Sequence, residues 1–194
     1  MFSLRRPAGS LIRRNLEITR NTPDAYGTAW EKERDPEDFY APKGFRRYHL
    51  RTVIGQGEKA YEAARAAFCA WVQFDLGWVR VANPEVPIKP EEIVTVEAHT
   101  FGLWSVNFSR ILYVIDEEHR FGYAYGTTPL HVESGEERFL IEFDHATGSV
   151  FYDLLAVSRP AHWLAQLGYP YTRSQQHRFA RESHRRMQSA IKEP

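Results

Sequence analysis

The sequence predicts an α+β domain in which an antiparallel sheet of about six strands is covered by a long C-terminal helix. Three observations favour this class: a strand and a helix come first, five strand-like segments follow with no helix between them, and a helical segment ends the chain. Connections of a few residues join the five segments, as is usual between antiparallel neighbours. Strands that do not alternate with helices argue against a parallel α/β sheet.

Residues 1–44 are predicted to be an N-terminal extension with little regular structure, in front of a domain at 45–194. The extension is polar and is punctuated by Pro7, Pro23, Pro36 and Pro42. It also contains a group of aromatic residues, namely Tyr26, Trp30, Phe39 and Tyr40. Aromatic residues at this density indicate that part of the extension packs on the domain.

The first strand and the first helix are predicted from their periodicity. The stretch "FRRYHLRTVIGQG", residues 45–57, alternates large and polar residues and ends in a glycine turn, which predicts a strand. In the next stretch, "EKAYEAARAAFCAWVQF", apolar side chains recur at helical spacing: Tyr61, Ala64, Phe68, Trp71 and Val72. The proline-rich "NPEVPIKP" that comes later is predicted to be a loop.

The second half of the chain predicts the main sheet and its cover. We expect consecutive antiparallel strands at residues 93–101, 104–116, 120–128, 137–144 and 149–158. The stretch "PAHWLAQLG" predicts a short helix and "YTRSQQHRFARESHRRMQSAIK" a long one. Because an antiparallel sheet with one apolar face must bury that face, the long helix is its expected cover.

This order of elements resembles the helix-grip architecture of the steroidogenic acute regulatory lipid-transfer (START-like) superfamily. The resemblance implies a curved sheet that wraps the C-terminal helix, often with a cavity between them. Three segments, "RRYHLRTVIGQGEKAYEAA", "FGYAYGTTPLHVESGEERFLIE" and "YDLLAVSRPAHWLAQLG", also resemble uncharacterised protein family 0548 of bacteria and plants, from about Tyr26 to the C-terminus. That family implies a shape and brings no established activity or catalytic residue.

Composition excludes several classes of protein. The 25 basic residues balance 25 acidic ones, which argues against a dedicated nucleic-acid-binding protein. No run reaches the roughly 18 apolar residues that a membrane span needs. The N-terminus lacks the apolar core of a secretory signal, and the single cysteine, Cys69, has no partner for an intramolecular disulfide. We therefore expect a cytoplasmic protein without a membrane span.

The stretch "FGYAYGTT" has two dissimilar faces if it is a strand, since side chains alternate. One face carries small residues (Gly122, Ala124, Gly126 and Thr128) and the other carries Phe121, Tyr123, Tyr125 and Thr127. In one interpretation the long helix crosses the small face closely and the aromatic face meets the N-terminal extension. In the other, the aromatic face lines a cavity and holds a ligand. The periodicity does not distinguish them.

The stretch "HVESGEER" is interpreted as a surface loop leading into a strand. Its His131 and Glu133 could bind a metal, but no second histidine has ligand spacing. Glu136 or Glu137 would instead accept hydrogen bonds from loop amides or pair with an arginine. We therefore predict no metal and no cofactor.

The leading functional hypothesis is binding of a small, partly apolar ligand between the sheet and the C-terminal helix. The candidate lining residues are Trp104, Tyr123, Tyr125, Gln176, Phe179 and Ser183. The aromatic residues would bury apolar surface, and Gln176 and Ser183 would orient the ligand. Neither the identity of the ligand nor the oligomeric state follows from the sequence.

Two alternatives stay open. The first is an enzyme of the cyclase or hydrolase kind found on similar folds, with His99, His131 or Asp153 as acid or base. The Asp153 carboxylate lies in an apolar strand and needs a partner such as Arg110. The second is a non-catalytic interaction module that acts through the basic C-terminal helix. A cavity of roughly 300 Å³ or more with convergent polar groups would favour ligand binding or catalysis, and a filled core would favour the interaction module.

Overall fold

The computed structural model of the chain describes residues 2–22, 41, 43–161 and 169–192. Within these ranges the chain forms eight strands and three α-helices. In chain order they are β1 (Phe2–Ser3), α1 (Gly9–Arg20), β2 (Arg46–Gln56), α2 (Glu58–Cys69), β3 (Val79–Val81), β4 (Ile93–Thr100), β5 (Leu103–Asp116), β6 (Arg120–Thr127), β7 (Glu133–Asp144), β8 (Ser149–Pro160) and α3 (Tyr169–Lys192). A short 3-10 helix, Val72–Phe74, follows α2.

One antiparallel sheet contains all eight strands. Its order is β2-β8-β7-β6-β5-β4-β3, and β1 pairs with β5 beside the end of β6. The five predicted consecutive strands are confirmed as antiparallel neighbours, and β2 adds to the sheet beside β8. Irregularities in register occur in β2 and β5, where local bulges increase strand twist. The sheet is strongly curled into a half-barrel, as the fold class predicted.

The main core lies between the concave face of the sheet and the two helices α2 and α3. Phe68 of α2 and Met187 of α3 are fully buried there, against sheet residues that include Tyr123, Phe139 and Tyr152. Alternation explains this set, because residues two apart in a strand share a face. The predicted helix-grip arrangement is therefore confirmed: the sheet curls around the C-terminal helix, with α2 packed beside it.

The N-terminal residues are more regular than the sequence predicted. Helix α1 occupies residues 9–20, and its Ile12 packs on the convex face of the sheet against Val106 and Phe108 of β5. Arg110 donates hydrogen bonds to the carbonyl oxygens of Thr19 and Thr22 and so binds the C-terminal end of the helix. The expectation of little regular structure is wrong for this segment, because a buried stripe on α1 stabilises it.

The packing of strand β6 shows which of its two faces points into the main core. Phe121, Tyr123 and Tyr125 belong to the main core on the concave side, whereas Ala124 packs in a separate cluster on the convex side. The interpretation that the C-terminal helix crosses the small face is wrong. A Cβ atom added at Gly126 would lie 3.0 Å from Cδ1 of Leu112, a side chain of the neighbouring strand.

Some predictions fall on residues outside the described ranges. The predicted short helix of "PAHWLAQLG" lies almost entirely at 162–168, and the four aromatic residues of the N-terminal extension lie at 23–40. The domain boundary at 44/45 stays a prediction. None of the helices in the described ranges is both long and apolar enough to cross a membrane.

Candidate functional site

A cavity of about 230 Å³ lies between the concave face of the sheet and the N-terminal half of α3, and it is partly open to solvent. Its volume is below the roughly 300 Å³ lower bound for drug-sized ligands. Since a water molecule takes about 30 Å³ of liquid volume, the cavity has room for a small organic molecule. Apolar and aromatic side chains form most of its wall, including Phe74, Trp78, Val79, Val96, Leu154 and Phe179.

Polar side chains converge at one end of the cavity, where β7 meets β8 and α3. They include Asn107, Tyr125, Glu133, Glu137, Ser158 and Gln176. Glu133 and Glu137 are four residues apart on β7, so alternation places both on the concave face with Phe139. A largely apolar cavity with a few convergent polar groups is the usual form of a small-molecule site.

Burial strongly perturbs Glu137, one of the acids that line the cavity. Burial raises the pKa of its carboxyl group to about 7, against an ordinary value of 4.5. The hydroxyl of Tyr125 donates a 2.7 Å hydrogen bond to Oε2 of Glu137, and this bond lowers the pKa in part. The negative charge of Glu133 raises the pKa of Glu137 further. Glu137 is therefore poised to exchange a proton near neutral pH.

Glu133 connects the sheet to the C-terminal helix. Nε2 of Gln176 donates to Oε2 of Glu133 at 2.6 Å and lies 3.0 Å from Oγ of Ser158. Burial raises the pKa of Glu133, while hydrogen bonds from Ser158 and Gln176 and the charge of Arg173 lower it in part. This network holds α3 against β7 and β8 at the polar end of the cavity.

His131 lies beside this network, in the turn before β7. Its Nδ1 accepts the backbone N–H of Glu133 at 3.0 Å. Burial lowers the pKa of His131 to about 4. The ring is therefore neutral at physiological pH, and its Nδ1 lone pair is already used by the backbone.

Four of the nine predicted site residues line the cavity: Tyr125, Gln176, Phe179 and His131. The sheet and α3 bring them together because Tyr125 lies on the concave face of β6, and Gln176 and Phe179 lie on the helix face that packs against it. Whether any of them binds a ligand stays a prediction.

Trp104 and His99 lie on the convex side of the sheet, away from the cavity. Their rings stack on each other with centroids 4.5 Å apart, and the guanidinium of Arg6 lies over Trp104. Alternation accounts for this, because Trp104 shares a face of β5 with Val106 and Phe108, which pack under α1. The structure thus differs from the predicted lining at Trp104, and it places the predicted acid–base candidate His99 outside the cavity.

Tyr123 and Ser183 face the concave side but are fully buried in the filled part of the core. The Tyr123 hydroxyl accepts a 3.2 Å hydrogen bond from Gln73. Oγ of Ser183 lies 2.9 Å from the Tyr152 hydroxyl. Ser183, on the inner stripe of α3, is therefore satisfied by a side chain of β8 inside the core and does not require a cavity.

Asp153 lies on the convex face, where it is buried and ion-paired. Nε2 of His49 lies 2.8 Å from its Oδ2, and Nη2 of Arg138 donates to its Oδ1 at 3.2 Å. The predicted partner, Arg110, instead binds the end of α1. Burial raises the pKa of Asp153, but His49 and Arg138 lower it by a larger amount, so the net shift of the pKa is downward.

The sequence prediction missed the roles of Glu133 and Glu137, because it began the strand at residue 137. In the structure β7 begins at Glu133 and pairs with β8 from there, and a Cβ atom at Gly135 would overlap the backbone of Val157. Extending the alternation of β7 back by four residues would have placed both glutamates inward. Among the described residues, no three His, Cys, Asp or Glu side chains gather as a metal site would require.

A curled antiparallel sheet, a C-terminal helix in its grip and a small half-open cavity between them define a helix-grip protein. Among solved structures, protein NE0264 from Nitrosomonas europaea has a TM-score of 0.50 at 9% identity, covering 75% of this chain and 94% of that one. Protein Ms6760 from Mycobacterium smegmatis has a TM-score of 0.50 at 12% identity, covering 74% and 88%. At such identities the likeness shows the fold alone.

The chain belongs to the family described as Domain of unknown function (DUF1990), whose model matches residues 28–186. It is similar to a UPF0548 protein of Dictyostelium discoideum, with 36% identity over 211 residues that cover 98% of this chain and 96% of the relative. A UPF0548 protein of Deinococcus radiodurans is 33% identical over 193 residues, covering 93% and 94%. These relatives confirm the resemblance to uncharacterised protein family 0548.

Proposed function

We propose that the protein binds a small, partly apolar molecule in the cavity between the sheet and the C-terminal helix. The observation that carries this proposal is the cavity itself, which has a wall of apolar and aromatic side chains and a polar end formed by Tyr125, Glu133, Glu137 and Gln176. Burying two carboxyl groups in a cavity is costly unless they are paired or serve a ligand. Neither is ion-paired with another described residue at contact distance.

Ala156 offers a direct way to test the cavity. It lies on β8 directly opposite Glu137 of β7 and Tyr48 of β2, and it lines the cavity. A phenylalanine there would project a ring into the space that the ligand is proposed to occupy. Ala66 lies on the exposed face of α2, so Ala66→Phe adds the same ring without entering the cavity.

Native mass spectrometry of the purified proteins makes the comparison. We expect the parent and Ala66→Phe to retain a small molecule that Ala156→Phe has lost. Far-UV and near-UV circular dichroism checks that Ala156→Phe is folded. If Ala156→Phe is folded and retains the same added mass as the parent, the retained molecule is not in this cavity and the proposal is wrong.

General acid–base catalysis is a second candidate function, and one observation favours it. Glu137 has a pKa of about 7 and shares a hydrogen bond with Tyr125 inside the cavity. A general acid or base works best when its pKa lies near the operating pH. Of the acid–base candidates from the sequence, His99 and Asp153 lie on the other side of the sheet, and Glu137 takes their place in this hypothesis.

Glu137→Gln separates catalysis from binding. In an enzyme this variant would accumulate the unconverted substrate, so the mass retained by the variant would differ from the mass retained by the parent. In a binding protein the parent and the variant would retain either the same compound or, in the variant, less of it. A difference in mass between the two retained compounds therefore favours catalysis.

The third hypothesis, an interaction module acting through the basic helix, has less support. The cavity of about 230 Å³ is smaller than the roughly 300 Å³ that would favour ligand binding, but it still departs from the filled core that would favour the interaction module. Several arginines of α3 also have partners within the chain: Arg178 pairs with Glu182, Arg186 pairs with Asp75, and Arg173 donates to the carbonyl oxygen of Arg47.

A further inference from the structure

We propose that the cavity takes an organic cation, a small amine whose protonated nitrogen lies against Glu137 and Glu133 and whose apolar part lies against the aromatic wall. This inference rests on the proposed function, since it names the chemical class of the ligand in the same cavity.

The charged side chains that line the cavity are carboxylates, and they carry negative charge. Glu133 and Glu137 face its interior, and among the described residues no lysine or arginine side chain lines it. Arg173 is close enough to act on the charge of Glu133, but it donates its hydrogen bonds to Gln176 and to the backbone at Arg47. A cation would therefore gain from both carboxylates, and an anion would meet like charges in a site of low dielectric.

The polar end of the cavity has more hydrogen-bond acceptors than donors. The hydroxyl of Tyr125 is used on Oε2 of Glu137, and the amide nitrogen of Gln176 is used on Glu133 and Ser158. The amide oxygen of Gln175, which also lines the cavity, is buried and has no hydrogen-bond partner among the described residues. A ligand that brings N–H donors would satisfy these acceptors, and an ammonium group brings three of them.

The rest of the wall suits the apolar part of such a molecule. The rings of Phe74 and Phe179 pack with centroids 5.3 Å apart beside Trp78, and all three line the cavity. Aromatic rings bury apolar surface and also attract cations at their faces. The volume of about 230 Å³ limits the ligand to a single ring or a short chain with its amine.

Three probes with the same ring and different charge test the inference: benzylamine, benzyl alcohol and benzoate. Their binding to the full chain is titrated by ¹H–¹⁵N NMR, with the indole N–H of Trp78, whose side chain lines the cavity, as a reporter. At pH 8 we expect benzylamine to bind at least about tenfold more tightly than benzyl alcohol, because a charge-assisted hydrogen bond is stronger than a neutral one. We expect benzoate to bind most weakly.

Glu137→Gln should weaken the preference for benzylamine, because only the Glu133 carboxylate would remain, and the dispersed NMR spectrum of the variant shows that it is folded. Glu62→Gln, at an exposed position of α2, is the matched control and should keep the preference. A second measurement needs no variant: the affinity for benzylamine should rise between pH 6 and pH 8 as Glu137 ionises, while His131 stays neutral and the affinity for benzyl alcohol stays constant.

The outcomes separate the two proposals. If benzyl alcohol binds in the cavity as tightly as benzylamine, or benzoate binds best, the cavity is a binding site and the inference of a cation is overturned. If none of the three probes shifts the Trp78 signal or other cavity signals, both the inference and the proposed function are overturned. A preference for benzylamine that is undiminished in Glu137→Gln shows that the cation does not lie against Glu137 and overturns the inference.

Discussion

Replacing Glu137 with glutamine should make the protein more stable at pH 8 and leave its stability almost unchanged at pH 5. Glu137 is partly buried between the sheet and α3, and this burial raises the pKa of its carboxyl group from 4.5 to about 7. Glutamine has the same size and keeps an oxygen that can accept the hydrogen bond from Tyr125. The substitution therefore removes the titration and little else.

The sign follows from the difference in bound protons. Between pH 4.5 and pH 7 the folded protein holds the Glu137 proton and the unfolded chain releases it, so the free energy of unfolding falls as the pH rises. Below this window the group is protonated in both states and contributes nothing. Above it the penalty is complete and amounts to about 3 kcal/mol, at about 1.4 kcal/mol for each tenfold change in the equilibrium constant.

Urea unfolding of the parent and Glu137→Gln at pH 5, 6, 7 and 8 measures this penalty by linear extrapolation. Both proteins are first refolded from denaturant and dialysed, because a retained ligand would stabilise the folded state. The gap in stability should open as the pH rises, reaching about 3 kcal/mol at pH 8. Glu62→Gln, exposed on α2, should follow the parent at every pH. A gap that stays constant with pH, or a variant less stable than the parent at pH 8, would refute the reasoning.

Three further predictions concern stability and composition. Asp153→Asn should cost about 3–5 kcal/mol in urea unfolding, because it leaves the buried Arg138 without its ion pair; a loss below about 1 kcal/mol, typical of surface pairs, would contradict this. Gly126→Val should lower the free energy of unfolding by about 1–3 kcal/mol, because the new side chain crowds Leu112. Tyr125→Phe should lower it by about 1 kcal/mol, because one hydrogen bond is lost. Equal stability of Gly126→Val and the parent would show that Leu112 moves freely. Elemental analysis should find no stoichiometric zinc or iron, and finding either would overturn the metal prediction.

The order and pairing of the central strands could be predicted because both depend on local features. Alternation identifies a strand over five to ten residues, and a connection of a few residues between two strands leaves them antiparallel. Turns such as "EEH" and "HATG" therefore identified the path of β5, β6 and β8 before any long-range contact was known. Family membership was equally accessible, since it depends on a linear pattern of residues.

The beginning of β7 shows where local patterns mislead. The stretch "ESGE" has the composition of a turn, yet it pairs with β8 along its length. Gly135 permits this because the strands approach each other too closely there for a side chain. Starting the strand at 137 hid the shared face of Glu133 and Glu137, and with it the polar end of the cavity.

The sequence by itself determined that β6 has one aromatic and one small face, and only the tertiary structure decided which face is inside. The choice depends on Phe68 of α2, whose ring lies 5.5 Å from Tyr123 and 6.1 Å from Phe121. In the same way, the sequence determined the strands, the C-terminal helix and the alternation of each. The cavity exists only where Trp78, Glu137 and Phe179, far apart in the chain, come together. Periodicity divides a strand into two faces, but burial of one of them is a property of the packed elements, and no local pattern encodes it.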